Sequence, residues 1–470
     1  MAKGGFSVLI LAAGKATRFK SGRSKLLHRL AGLPLGEYAL RSAFATKPRQ
    51  VYMVVGHQAD AVWTAFARPG LTFIEQTEQL GTGHALIASR QELERSTSND
   101  IAVMVGDVPL LSADTLRNLI DTHRKRRAAV TILTVQLEDP RGYGRIVRGR
   151  DSRVRRIVEE KVATPAERRI REVSSGVLCF SRRKLFAHLD RLAADNPQKE
   201  YLLPDLVAIL AGSRERIETV PVADPREVLG INDRVELARV ERILRLRKAE
   251  SLMRDGVTVV NPEVTYIDDS VTVGCDTVIE PGVSLLGATR VGRDCRLGAY
   301  GTIADSEIDD RVIVRPYSVI ISSTVGADVT VGPFAHLRDG AVLEAGSRIG
   351  NFVEVKKSRV GRGSKASHLT YLGDAELGQG VNIGAGTVTC NYDGQRKNPT
   401  SIEEGAFIGS GTMLVAPVRV GRRSYVAAGS TITEDVPPDS LALGRARQVV
   451  KEGWAKKKGG PATNKSREKA

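Results

Sequence analysis

Two groups of residues in this 470-residue chain carry side chains suited to chemistry on anionic substrates. The first begins where an apolar run, Phe6 to Leu11, passes into Leu11-Ala12-Ala13-Gly14-Lys15-Ala16-Thr17-Arg18, with Lys25 close behind. Small residues let backbone N–H groups approach phosphates, and Arg18 and Lys25 supply neutralising charge. The spacing is neither that of the P-loop nor GxGxxG. Further on, Gln76 stands before Leu80-Gly81-Thr82-Gly83-His84-Ala85. An amide flanked by small residues can read the edge of a nucleobase. Asp107 follows the apolar run Ile101 to Val105 and Gly106; a carboxylate there suits a Mg²⁺ ion beside phosphates. Taken singly, the small-residue segment after a strand is more often just a turn, and Gly106-Asp107 is just as often one.

The second group lies past residue 330. Arg338, Lys356, Lys357 and Lys397 are cations, and His368 stands in Ser367-His368-Leu369-Thr370-Tyr371-Leu372-Gly373. Acylating an amine needs a base that works near neutral pH, which imidazole supplies, and N–H donors at the developing oxyanion. A lone histidine is more often structural. Here it keeps company with basic residues and with a polar interruption, Cys390-Asn391-Tyr392-Asp393-Gly394 and Arg396-Lys397.

The elements that must position these residues differ between the halves. In the first half, Phe6 to Leu11, Val51 to Val55, Ile101 to Val105 and Thr131 to Val135 are apolar runs of strand length separated by amphipathic stretches such as Gly36 to Ala45. That alternation predicts a mainly parallel sheet covered by helices, an α/β Rossmann-like domain with ligands beyond the carboxyl ends of its strands. Residues 234–254 lack Gly and Pro and place Val235, Leu237, Val240, Ile243 and Leu244 at helical spacing, which predicts a linker helix or the last helix of the first domain.

From about Asp255 onward an aliphatic residue returns every six positions. One run is Val273, Ile279, Leu285, Val291, Leu297, Ile303; a second is Val325, Val331, Leu337, Leu343, Ile349, Val355; a third is Ile402, Ile408, Leu414, Val420, Val426, Ile432. Occasional steps of five shift the phase. A period of six predicts a parallel β-helix, each short strand giving one inward side chain. The interruption at 389–401 must leave the stack as a loop, and such loops commonly carry function. The predicted organisation is a nucleotide-type domain over 1–233, a helix over 234–254, the repeat over 255–454, and a disordered basic tail over 455–470.

The net charge of +16 suits anionic substrates, and part of it is the tail with Lys456, Lys457, Lys458, Lys465, Arg467 and Lys469. No aromatic residues interleave with the arginine-rich stretches, so a nucleic-acid partner is not expected. Four scattered cysteines and no apolar leader read as reduced thiols in a cytoplasmic protein, and no run is long enough for membrane insertion.

The segments LAAGKATRF with Lys25, QLGTGHA, GDVPLL, Gly142-Tyr143-Gly144-Arg145-Ile146, Glu159-Glu160-Lys161 and Gly230-Ile231-Asn232-Asp233-Arg234 occur in the order seen in sugar-nucleotide pyrophosphorylases. With the repeat, and with GPFAHLRDG, GNFVEVKKS, SHLTYLGDAELG and NIGAGTVTCNYDG, the chain resembles the bifunctional N-acetylglucosamine-1-phosphate uridyltransferase/glucosamine-1-phosphate N-acetyltransferases from about Phe6 to Trp454. The resemblance implies a left-handed coil, a homotrimer with acetyltransferase sites between chains, and Mg²⁺, UTP, acetyl-CoA, glucosamine 1-phosphate and N-acetylglucosamine 1-phosphate as the molecules bound. It implies Asp107 and Asn232 as metal ligands. Leu11, Ala13, Gly14, Arg18, Lys25, Gln76, Gly81, Thr82, Gly144, Glu159 and Ser174 would hold the nucleotide and sugar. His368 becomes the general base, with Glu354 orienting it. Arg338, Lys356, Tyr371, Asn382, Asn391 and Lys397 would bind the sugar phosphate; Ala385, Ser410, Ala428 and Arg445 would contact acetyl-CoA. Departures from the pattern are Ala16 for a glycine, Val105 for a tyrosine, Ser174 for an asparagine and His336 for an arginine. A nucleotidyltransferase whose coil only oligomerises it, and a non-catalytic scaffold, are the competing readings; neither explains His368 beside the Asn391 loop.

Overall fold

The computed structural model describes residues 5–196 and 199–458. They form two compact units: one runs up to Ala249 and also takes Ile267–Asp269, the other holds Glu250–Tyr266 and the described residues from Ser270 on.

The first unit is built on the strands β1 (Phe6–Leu11), β2 and β3 (Arg29–Leu30 and Leu33–Pro34, a small hairpin), β4 (Gln50–Val55), β5 (Leu71–Glu75), β6 (Asp100–Val105), β7 (Val130–Gln136), β8 (Arg145–Arg148), β9 (Val154–Val158), β10 (Glu172–Ser181) and β11 (Ile217–Pro221). The main sheet has the order β11-β7-β10-β6-β1-β4-β5. All neighbours along it are parallel except β10, which runs antiparallel to both β6 and β7. The parallel strands β1, β4 and β6 are mostly apolar because both faces are covered. Leu9 and Leu11 face one core with the helices Thr82–Ala88 and Leu203–Gly212; Val8 and Ile10 face the other with Leu35–Ala45 and Ala113–Arg126. From β1 the chain winds outward to β4 and β5, then returns to β6 on the other side of β1. The loops after β1 and β6 therefore diverge, leaving a crevice at their carboxyl ends.

A helix spans Arg234–Arg254. Its residues Leu237, Val240, Ile243 and Leu244 pack with Phe19, Leu30, Leu35, Tyr38, Leu110 and Ile231, so up to Ala249 it behaves as the last helix of the first unit.

The second unit is a parallel β-coil with three short strands per turn. Every repeat position named above is buried except Val273, which is half-buried. Each side chain lies above its counterpart in the preceding coil: Leu285 pairs with Ile303, and Ile303 with Ile320. A coil is thus 18 residues, or 17 where the repeat takes a step of five. Burying each aliphatic contributes about 1.5–3 kcal/mol. Buried hydroxyls close the corners: Ser306 Oγ donates to Ala304 O at 2.7 Å and accepts from Ser323 N, 3.1 Å away in the next coil. The step from Leu377 to its neighbour Ile402 is 25 residues, so a loop leaves the stack, but only over 391–399: 388–390 and 400–402 are strands of the coil.

One corner is a column of residues with positive φ. Tyr300, Tyr317, Phe334 and Phe352 stack there with ring centroids 5.1–5.4 Å apart, and Leu369 follows. Above Leu369 the same corner is occupied by Gly386, Gly411 and Gly429.

The expected disordered tail begins differently. Trp454–Lys457 forms a helical turn, with Lys458 Nζ 5.3 Å from the Trp454 ring centroid; residues 459–470, including Lys465, Arg467 and Lys469, lie outside the described residues. No helix among the described residues is long and apolar enough to cross a membrane, and all four cysteines are free.

Candidate active sites

The crevice at the ends of β1 and β6 is a cavity of about 480 Å³. Leu11, Ala13, Gly14, Lys25, Gln76, Gly81, Thr82 and Asp107 are among the residues that line it. Hydrogen bonds from Ala12 N to Val54 O and from Gly106 N to Leu11 O, both 2.9 Å, carry the strand register into the loops. Ala16, where the resemblance implies a glycine, adopts φ 48°, the left-handed conformation that glycine favours.

Two side-chain pairs matter here, one between the lining residues Lys25 and Asp107 and one between Arg18 and Asn232, which do not line the cavity. The Lys25 ammonium bonds Asp107, and Arg18 Nη2 donates to Asn232 Oδ1 at 2.8 Å. Asn232 reaches this place because Ile231 N donates to Asp107 O at 3.0 Å, while Asn232's own N–H is held by Glu236 at 2.5 Å. Each expected metal ligand is thus matched by an expected phosphate-binding cation. Among the described residues no three His, Cys, Asp or Glu side chains form a metal cluster. One carboxylate and one amide oxygen suit Mg²⁺, which keeps waters and substrate phosphates as most of its ligands.

Gly144, just before β8, Glu159, just after β9, and Ser174 on β10 come together. Ser174 N donates to Gly144 O at 2.8 Å, and a Cβ on Gly144 would lie 3.4 Å from Glu159 Oε1. Burial, and then the nearby Asp205 charge, pushes the Glu159 carboxyl above its ordinary pKa. The Ser174 hydroxyl accepts from Gly176 N at 3.3 Å, so it closes its own turn.

In the coil, Arg338, Lys356, Tyr371, Asn391 and Lys397 cluster. Lys356 and Lys397 face each other, and that contact lowers the Lys356 pKa. Gly373 forms the floor: a Cβ there would lie 2.4 Å from Tyr371 Oη and 2.7 Å from Asn391 Nδ2. Asn391 Nδ2 donates to Asp374 Oδ2 at 2.5 Å. Asn382 lies apart from this group, on a strand beside Lys365.

His368 shares the strand Lys365–Gly373 with Tyr371, with the positive-φ corner at Leu369 between them. Its Nδ1 bonds Asn351 Oδ1 at 2.7 Å. This corrects the expectation that Glu354 orients it. The parallel register sets Asn351 opposite His368 and Glu354 opposite Tyr371, and Glu354 is taken by Arg338 Nη2 at 2.7 Å.

The expected acetyl-CoA residues stack beyond His368. Gly386 N donates to Leu369 O, Gly411 N to Ala385 O and Gly429 N to Ser410 O, at 3.0, 2.7 and 2.8 Å. Ala385, Ser410 and Ala428 therefore follow His368 in successive coils beside the side-chain-free corner. A Cβ on Gly429 would lie 3.9 Å from Arg445 Cδ.

The bifunctional protein GlmU of Koribacter versatilis is 50% identical over 457 residues, covering 96% of this chain and 97% of that protein. The chain belongs to the GlmU family. The bifunctional protein GlmU of Trichlorobacter lovleyi is 51% identical over 453 residues (96% and 98% covered), and that of an Anaeromyxobacter species 48% over 463 (98% and 94%). The MobA-like NTP transferase domain family matches residues 8–209, and the bacterial transferase hexapeptide family, six repeats, matches 399–434. The GlmU-like chain is therefore an enzyme with a nucleotidyltransferase unit and a hexapeptide-repeat unit.

Sequence reasoning missed Asn351 and Asp374, although both lie within or beside quoted motifs. It also missed Glu200 and Leu202, which line the nucleotide cavity. That segment is drawn in by Gly83 N donating to Tyr201 O at 2.7 Å and Leu203 N to Thr82 Oγ1 at 3.0 Å, and carries no motif of its own.

Proposed function

We propose that the coil acetylates glucosamine 1-phosphate from acetyl-CoA and that the α/β unit then transfers uridylyl from UTP to the N-acetylglucosamine 1-phosphate formed. The observation that carries this reading is that His368 and Ala385, Ser410 and Ala428 occupy one corner of successive coils, in a different unit from the nucleotide cavity.

In the coil, Asn351 Oδ1 accepts the Nδ1 proton of His368, which leaves the lone pair on Nε2. Nε2 takes a proton from the substrate amine as its nitrogen attacks the thioester carbonyl. The C–S bond breaks, coenzyme A leaves as the thiol after receiving that proton, and the amide remains. Ala385 donates its N–H to no protein group among the described residues, which suits it to the carbonyl oxygen. Arg338, Lys356 and Lys397 offset the sugar phosphate charge.

In the α/β unit a phosphate oxygen of N-acetylglucosamine 1-phosphate attacks the α-phosphorus of UTP. The bond to the β-phosphate oxygen breaks and pyrophosphate leaves. Arg18 and Lys25 hold the triphosphate, Gln76 with Gly81 and Thr82 holds the base, and Gly144 and Glu159 hold the sugar. Mg²⁺, held by Asp107 and Asn232, would screen the triphosphate charge.

The exposed column Tyr300, Tyr317, Phe334, Phe352 and Leu369 supports assembly of the coil with further copies, a homotrimer by family resemblance. Four free cysteines suit a cytoplasmic setting.

The test assays both reactions separately on His368→Ala and Asp107→Ala. The first variant loses acetyl transfer and keeps uridylyl transfer; the second does the reverse. Loss of both reactions in either folded variant would refute two independent sites.

A further inference from the structure

Gln76 is buried, and its N–H is fixed to Val55 O at 2.7 Å at the end of β5. Its side-chain nitrogen makes two hydrogen bonds: Nε2 reaches Gly81 O at 3.2 Å and His84 Nδ1 at 3.0 Å. Gly81 O can only accept, so the amide nitrogen must be on that side. The second amide hydrogen then meets His84 Nδ1, which must present its lone pair. Both amide hydrogens are used inside the protein. The carbonyl Oε1 takes no protein donor among the described residues, and Gln76 lines the cavity.

We infer that His84 sets the base preference of the nucleotide cavity by holding Gln76 with only its carbonyl oxygen free. This rests on the uridylyl-transfer reading. A free carbonyl oxygen accepts the N3–H of uracil. Cytosine presents a lone pair at N3, which meets that oxygen with repulsion. A flipped amide would suit cytosine, but it would set Oε1 against both Gly81 O and the His84 lone pair. His84 does not line the cavity, so it is a positioning residue. It stands in the first turn of the helix Thr82–Ala88, and its ring packs 6.0 Å from that of Tyr201.

The test measures UTP and CTP binding to the full-length chain with Mg²⁺, alongside turnover. His84→Phe keeps the ring against Tyr201 and removes the acceptor, leaving Gln76 on the 3.2 Å bond to Gly81 alone. The UTP-over-CTP preference is expected to fall about tenfold. The loss appears in the Kd and KM for UTP more than in kcat, with the KM for sugar phosphate unchanged. His84→Asn offers a carbonyl acceptor in a similar place and restores the preference; it also serves if the Phe variant melts early. An unchanged preference in a folded His84→Phe, or equal binding of UTP and CTP by the wild type, overturns the inference. A wild type that prefers UTP but forms no UDP-N-acetylglucosamine would sink the uridylyl-transfer reading and leave the base choice standing.

Discussion

His368 Nδ1 and Asn351 Oδ1 are 2.7 Å apart because residues 368 and 351 face each other across parallel strands of adjacent coils. The asparagine carbonyl selects the imidazole tautomer with its lone pair on Nε2. Asn351→Leu removes that selection while keeping similar volume. The kcat for acetyl transfer is expected to fall roughly tenfold to a hundredfold, while uridylyl transfer and the KM for acetyl-CoA hold. Steady-state assays of both reactions check this; an unchanged acetyl kcat would mean that the ring needs no help from Asn351.

The backbone beside that pair has no room to spare. A Cβ on Gly350 would lie 1.8 Å from Ser367 O and 2.5 Å from Ser367 C on the facing strand. Gly350→Ala must part the two strands next to Asn351 and His368. It is expected to cost about 1–3 kcal/mol of stability, seen in a denaturant titration, and to depress acetyl transfer even where the protein remains folded.

Asp393 orders the loop that delivers Asn391 and Lys397. Its carboxylate accepts from Arg396 N at 2.8 Å, Gln395 N at 2.9 Å and Asn398 Nδ2 at 2.9 Å, and these bonds lower its pKa to about 2. A depressed carboxylate stabilises above its ordinary pKa and loses that contribution as pH falls through its folded value. The loop therefore stays ordered from about pH 8 down to about pH 4 and loosens only as pH drops toward 2. Asp393→Ala should abolish that dependence, speed amide exchange at 395–396, and raise the KM for glucosamine 1-phosphate severalfold. Exchange rates equal to wild type would count against it.

Much of this was legible in the residues. The six-residue period named the inward side chains, and all but Val273 are buried. The segments after Leu11 and Val105 meet at the crevice because a parallel sheet sends its loops there. What escaped was register. Residue 351 rather than 354 faces His368 because the coil between them is 17 residues long, with corners at Phe352 and Leu369 in the left-handed region. Phe and Leu carry no turn signature, so those corners leave no mark in composition. His84 stood in a quoted motif, yet its bond to Gln76 exists only once the helix Thr82–Ala88 is packed at the end of β5. The Glu200–Leu202 segment reaches the cavity through backbone groups of Tyr201 and Leu203, which bond Gly83 N and the Thr82 hydroxyl and leave no motif in its side chains.

Ser174 gives a gain-of-function prediction. Its hydroxyl bonds Gly176 N at 3.3 Å and closes a local turn beside Gly144 and Glu159. An asparagine is longer and offers both a donor and an acceptor. Ser174→Asn is expected to lower the KM for N-acetylglucosamine 1-phosphate about fivefold, the equivalent of about 1 kcal/mol, with kcat little changed. An unchanged or higher KM would place the sugar elsewhere.

The column of corner residues supplies the sharpest test of where acetyl-CoA lies. Tyr300, Tyr317, Phe334, Phe352 and Leu369 all hold φ between 46° and 60° there, so this corner accepts side chains. From Gly386 upward it carries none, and Ala385, Ser410 and Ala428 stand beside the resulting trough. A Cβ on Gly411 would meet nothing nearer than Gly429 Cα and N at 3.7 Å, ordinary contact. Gly411→Leu should therefore fold, with a backbone cost of about 1–2 kcal/mol, while its side chain fills the trough. The KM for acetyl-CoA is expected to rise at least about tenfold, corresponding to ~1.4 kcal/mol, with uridylyl transfer untouched. A melting curve establishes the fold and acetyl-CoA titration reads the block; a folded variant with the wild-type KM would move the thioester donor off this corner.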